Sequence, residues 1–408
     1  MTRPSHPFRI AGALAICIAL AAAACSAPGS KKSSKPKPGA SLPVKPSHPV
    51  PLNILDVAGN LQLTQGMIDE FVKSHSDIVS GVTYSKGTAP ELAGKIKAQE
   101  DAGQIQINLV LTGTDGLSAG LKQGLWQKIS PDYDAKVGNP RDHYLDPAAK
   151  MQELAQGHGV EVVYYPSGPL LEYNHSKVSS PPTSPQALLA WAKAHPGRFQ
   201  YADPANSGPG RTFLMGLPYL LGDKDPKDPV HGWDKTWAYL KDLGQYIPYY
   251  ASGTTETMKN LASGAVDMIA TTTGWYINPR ALGTVPQDTA VGKYDNEHWV
   301  TDAQYAVIPK GVDTDTLVAD LALIKWMLTP KQQAKAYDTG YFYPGPAVKG
   351  VTLKMAPAAS QETIRKYGDP RFDDWIAKYP KDPSLPADKQ VTAFDMWARQ
   401  IGAGKKKS

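Results

Sequence analysis

Residues 52–111 read LNILDVAGNLQLTQGMIDEFVKSHSDIVSGVTYSKGTAPELAGKIKAQEDAGQIQINLVL. Three short apolar runs punctuate this stretch: 52–58 (LNILDVA), 82–84 (VTY) and 107–111 (INLVL). Between the first two, Leu63, Met67, Ile68, Phe71 and Val72 recur at helical spacing. Between the last two, Pro90 opens a helix that carries Leu92 and Ile96 and stops at Gly103. Strand, helix, strand, helix, strand predicts a parallel sheet with helices on its faces. Each run is followed by small polar residues: Gly59-Asn60, then Gly87-Thr88, then Gly113-Thr114-Asp115. Ligands of open α/β sheets gather at the carboxyl ends of strands. Asn60, Thr88, Thr114 and Asp115 are therefore candidate binding residues, although ordinary βα turns use the same residue types.

A second α/β unit starts near Gly168. Strands are predicted at 170–173, 199–202 and 266–270, with a returning strand at 305–308. Ser184-Pro185 caps a helix carrying Leu188, Leu189 and Trp191. Further helices contain Phe213, Leu214 and Leu217, then 233–243, then Met258 and Leu261 after Thr254, and finally the strongly apolar 317–328. No long internal repeat is present.

The N-terminus reads MTRPSHPFRIAGALAICIALAAAAC. Arg3 and Arg9 form a basic start, and the apolar run 10–24 is too short to span a bilayer comfortably. Residues 1–24 read as a secretory signal peptide. The segment around Cys25 resembles the lipobox of bacterial lipoproteins, with Ala22 where leucine is usual. Lipidation of Cys25 would supply the several acyl chains that stable anchoring needs; plain cleavage after Ala24 is the alternative. Residues 25–51 are rich in Pro, Ser and Lys and read as an extended, unfolded tether. An anchor followed by a tether places the body at the outer face of the cell membrane, where no ATP is available for ATP-driven chemistry.

The 408 residues are 41% hydrophobic and 20% charged, with a formal charge of +5, much of it in terminal lysines. That composition suits a globular chain of two domains and offers no basic module for nucleic acid. Cys17 and Cys25 are the only cysteines, so the body has neither a disulfide framework nor thiolate zinc. No H-E-x-x-H, C-x-x-C or P-loop is present, and the histidines from His143 to His298 lack ligand spacing. Asp313-Thr314-Asp315 begins like a calcium loop but lacks its glycine and closing glutamate. No enzyme activity and no cofactor are expected.

Four segments together carry a resemblance: Val163-Tyr164-Tyr165-Pro166 with 168–174 (GPLLEYN); Pro196-Gly197-Arg198-Phe199 with Tyr201-Ala202-Asp203-Pro204; 261–268 (LASGAVDM); and 306–311 (AVIPKG) with Gly340-Tyr341 before Pro344. In order and spacing they resemble the bacterial extracellular solute-binding proteins of the type II periplasmic-binding fold, in the branch with spermidine/putrescine, iron and thiamine receptors. The resemblance implies an α/β fold of two lobes with two hinge crossings, near 162–166 and 302–307. Lobe 1 would span 52–165 and be rejoined by 304–350, lobe 2 would span 166–303, and 351–408 would be a C-terminal helical segment with a basic tail. It implies a monomer that captures a small solute in the interlobe cleft for an ABC permease and its ATP-binding subunits. A solute-sensing receptor without transport and a secreted hydrolase are the competing functions.

For the ligand, Ser207-Gly208-Pro209-Gly210 opens a helix one residue before Arg211, a setting suited to an anion. Asp115 and Glu256 would suit a cation. Tyr165, Trp275, Tyr276 and Trp299 are aromatic candidates for stacking or cation–π contact. Iron receptors of the branch carry adjacent tyrosines where this chain has Thr273 and Gly274, which argues against ferric iron. Polyamine receptors carry an acid on the hinge strand where this chain has Gln304, with Asp302 nearby. A polyamine-like solute and a small organic anion both stay open.

Overall fold

The computed structural model describes residues 41–57 and 59–405. The expected signal peptide, the lipidation site Cys25, the start of the tether and the last residues of the basic tail lie outside the described residues. Ten strands occur among the described residues: β1 (Val50–Val57), β2 (Val79–Gly87), β3 (Leu109–Gly113), β4 (Val160–Gly168), β5 (Leu170–Asn174), β6 (Phe199–Gln200), β7 (Met268–Thr271), β8 (Thr289–Gly292), β9 (Trp299–Val307) and β10 (Lys381–Pro383). They form two sheets. The first has the order β10-β9-β3-β1-β2, with β4 also paired to β9, and the second has the order β6-β7-β5-β8.

β1 is parallel to β2 on one side and to β3 on the other, as the alternation of runs and helices predicts. Its period of two sends Leu52 and Ile54 into one core and Leu55 and Val57 into another. That is why the run carries apolar residues at both odd and even positions: both faces are covered. The helices Leu61–Ser74 and Thr314–Met327 cover the first face with Met67, Phe71, Leu317 and Ile324. On the other face, Leu92, Ile96, Leu117 and Met151 come from Ala89–Asp101, Thr114–Gln123 and Asp146–Glu153.

β9 runs antiparallel to both β3 and β4. The second sheet is mixed: β6 is parallel to β7, whereas β5 is antiparallel to β7 and β8. Only Pro169 separates β4 from β5, so no crossover helix intervenes there. This sheet has its own core, in which Leu171, Phe199, Phe213, Leu240 and Met268 meet Trp397 from the helix Ala387–Gln400. The C-terminal segment therefore packs into the second core and adds β10 beside β9.

Composition ends the tether at Pro51, but folded structure begins earlier. Leu42 is 7% exposed and belongs to the first core. The Ser47 N–H donates to Asp315 Oδ1 (2.9 Å), and Lys136 Nζ donates to the Pro43 carbonyl (2.9 Å). One leucine and partners far along the chain hold this segment, and no local count of apolar residues could show that.

Candidate functional site

A cavity of about 580 Å³ is lined by residues from both sheets' connections. Asp115 follows β3, Tyr165 lies on β4 and Gln304 on β9, and Tyr341 and Phe342 pack with the first core. Gly208 and Arg211 open a helix packed in the second core, and Asn206, Trp275 and the start of the helix Thr254–Ala262 complete the lining.

Arg211 lies in the first turn of the helix Gly208–Leu221. Ser207 caps that helix, its Oγ accepting from the Gly210 N–H at 3.1 Å. The hydroxyls of Ser207 and Thr254 lie 2.8 Å apart and tie two helix starts together. Position 210 must be glycine, because a Cβ there would sit 2.3 Å from the Ala202 carbonyl oxygen. Arg211 is 3% exposed. Its Nη2 donates to Asp302 Oδ2, and its Nη1 lies 3.2 Å from Asp115 Oδ2. Asp302 Oδ1 also accepts from Thr114 Oγ1 (3.0 Å) and from the Ala303 N–H (2.9 Å). Burial works against the charge of Arg211, but the carboxylates of Asp302 and Asp115 more than offset it and hold the pKa above that of free arginine.

Four aromatic rings form a continuous wall. Trp275 meets Tyr341 edge-on at 5.2 Å between centroids, Tyr341 meets Phe342 at 4.3 Å, and Phe342 stacks on Tyr165 at 4.6 Å. Trp275 sits in the first turn of the helix Thr273–Ala281, whose cap Thr272 Oγ1 accepts from the Trp275 N–H. Gly274 allows the close approach: a Cβ there would lie 1.8 Å from the Tyr341 carbonyl oxygen. Burial, then the charge of Asp302, pushes the Tyr165 hydroxyl well above the usual phenol range, so it is neutral.

Of the residues named from sequence, Asp115, Tyr165, Gly208, Arg211 and Trp275 line this cavity, as do Glu256 and Gln304. The others lie elsewhere. Asn60 is buried, and its Oδ1 accepts from Thr64 Oγ1. Thr88 is exposed at the end of edge strand β2. Thr114 and Ser207 stand behind the lining, bonded to Asp302 and Gly210. Tyr276 follows Trp275, but one helical step (~100°) turns it into the core, where its ring meets Phe372 and its hydroxyl donates to the Thr289 carbonyl (3.3 Å). Trp299 opens β9 and is fully buried, its indole N–H donating to the Trp375 carbonyl (3.1 Å). Arg211, suited from sequence to an anion, already faces the carboxylates of Asp302 and Asp115.

Tyr341, Phe342, Asn206 and Lys259 line the cavity without having been named as binding candidates from sequence. A G-x-S-x-G pattern also lies at 116–120. Ser118 of that pattern is 4% exposed and inside the helix Thr114–Gln123, not on a strand-to-helix turn. Its glycines answer to packing: a Cβ on Gly120 would meet the Trp126 ring at 2.1 Å. No cluster of metal-ligating side chains occurs among the described residues, and no helix among them is long and apolar enough to cross a membrane.

No curated protein matches the sequence. Solved structures do. A GABA receptor aligns with a TM-score of 0.64 at 18% identity, covering 87% of this chain and 99% of that one. An ABC transporter substrate-binding protein from Bradyrhizobium japonicum gives 0.61 at 19% identity, covering 86% and 99%. A spermidine/putrescine ABC transporter substrate-binding protein from Streptococcus pneumoniae, in complex with calcium and HEPES, gives 0.55 at 16% identity, covering 85% and 99%. At these identities the likeness is one of fold. The profile of the family described as bacterial extracellular solute-binding protein matches residues 66–366. The chain thus belongs to the bacterial extracellular solute-binding proteins, a family of receptors that work outside the cytoplasm.

Proposed function

We propose that the protein is the non-catalytic solute receptor of an ABC importer, held by a lipid on Cys25 at the outer face of the membrane. The observation that carries this reading is the cavity itself. Its lining draws on the first sheet, through Tyr165 on β4 and Gln304 on β9, and on Arg211, whose helix packs in the core of the second sheet. Residues 42–165 with 304–350 would form one lobe and 166–303 the other, and β4 and β9 would be the crossings about which they close. A solute that touches both lobes favours the closed form, and the closed form docks on a permease served by ATP-binding subunits. A solute with equal affinity for both forms would shift nothing.

The test is a thermal-shift screen of amines, amino acids, sugars, thiamine and organic anions, followed by small-angle scattering with the best binder. The expected result is a raised melting temperature together with a smaller radius of gyration. A solute that binds without any compaction would overturn the clamp.

A further inference from the structure

The floor of the cavity has an unusual charge balance. Asp115, Arg211 and Asp302 lie together, two carboxylates on one guanidinium. Glu256 and Lys259 line the same cavity with opposite charges, one helical turn apart. Counting all five groups leaves one negative charge in excess. An added monoanion would leave two, so a purely anionic solute is disfavoured.

A purely cationic solute fails for another reason. Arg211 carries five N–H donors. Its Nη2 bonds Asp302, but its Nε and Nη1 find no hydrogen-bond acceptor although both are buried. The Asp115 carboxylate lies near Nη1 without hydrogen-bonding geometry. Unpaired donors on a buried charge are expensive to keep, and an amine brings them no acceptor.

Resting on the receptor reading above, we infer that the solute is a zwitterion. Its carboxylate or other oxyanion takes the unpaired donors of Arg211, and its ammonium takes Asp115. The run of rings from Trp275 through Tyr341 and Phe342 to Tyr165 covers the apolar chain between them. Asp115 is the specificity residue: it supplies the counter-charge that a receptor for simple anions would lack. The cavity leaves room for substituents beyond the two charged ends.

Calorimetric titration tests this with matched compounds: 4-aminobutyrate, butylamine, butyrate and 1,4-diaminobutane, then longer amino acids, free sugars and dicarboxylates. The expected result is that the tightest binder carries both charges, and that deleting either one weakens it at least about tenfold, the loss of a charge-assisted hydrogen bond. Asp115→Asn should weaken the zwitterion by a similar factor and leave its N-acetylated form unchanged. Arg211→Gln removes the other partner, but its buried position puts folding at risk, so Asp115→Asn and the truncated ligands carry the test. A tightest binder that lacks either charge overturns the inference and leaves the receptor reading standing. Absence of any binder among all classes removes both.

Discussion

Asp115 Oδ2 and Arg211 Nη1 lie 3.2 Å apart, although one residue follows β3 of the first sheet and the other begins a helix packed in the second core. Asp302 on β9 completes the group from a third direction. The floor of the cavity is thus an ionic joint between parts of the chain that meet nowhere else in sequence.

Asp302→Ala should destabilise the protein by about 3–5 kcal/mol, because it leaves a buried guanidinium with Asp115 alone and frees the Thr114 hydroxyl. Urea unfolding at neutral pH measures this. A loss below about 1 kcal/mol, typical of an exposed pair, would mean that solvent reaches Arg211.

Gly274→Ala places a methyl where the Tyr341 carbonyl oxygen now lies 1.8 Å from the ideal Cβ. The helix Thr273–Ala281 and the segment around Tyr341 must move apart, and overpacking of this type costs about 1–3 kcal/mol. Because both sides of the contact carry rings of the aromatic wall, solute affinity should fall as well. Calorimetry of this variant with unaltered affinity would separate the wall from the binding site.

Trp275→Ala should weaken solute binding at least about tenfold, since a ring in a binding wall contributes mainly to the bound state. Trp275 is only partly buried, at the margin of a small core, so the melting temperature should change less than the affinity. A large drop in melting temperature with intact affinity would return Trp275 to a packing role beside Met258 and Leu261.

Glu172 lies on β5 and is fully buried, its carboxyl accepting from Thr289 Oγ1 (2.9 Å) and Thr271 Oγ1 (3.3 Å). Burial pushes its pKa up to about 8, with the Thr289 hydroxyl and Arg280 opposing only in part. The unfolded chain titrates near 4.5, so the folded state binds this proton more tightly between the two values. Its stabilising contribution is complete below the lower value and is lost as pH rises through the upper one. The melting temperature of the native protein should therefore fall relative to Glu172→Gln as pH is raised across that window. Parallel curves for the two proteins would exclude Glu172 as the titrating group.

Local pattern sufficed for much of this. The apolar runs at 52–58 and 107–111 announced buried parallel strands, since only strands covered on both faces have no polar side. Ser184 and Ser207 announced helix starts, and each side chain does accept from the N–H three residues on. The strand ends pointed to Asp115, and the helix start pointed to Gly208 and Arg211.

Tertiary structure decided the rest. Tyr276 and Trp299 share the residue types of binding groups, yet Phe372 and Trp375, far along the chain, hold them in the core. Tyr341 and Phe342 reach the cavity from a segment with no local mark of a site. Asp302 stands 91 positions from Arg211 and changes what that arginine can accept. Periodicity reports which face of an element is apolar; it carries no information on which remote side chains will oppose that face. Charge balance in a buried site is a sum over such opposing groups, and only the folded chain brings them together.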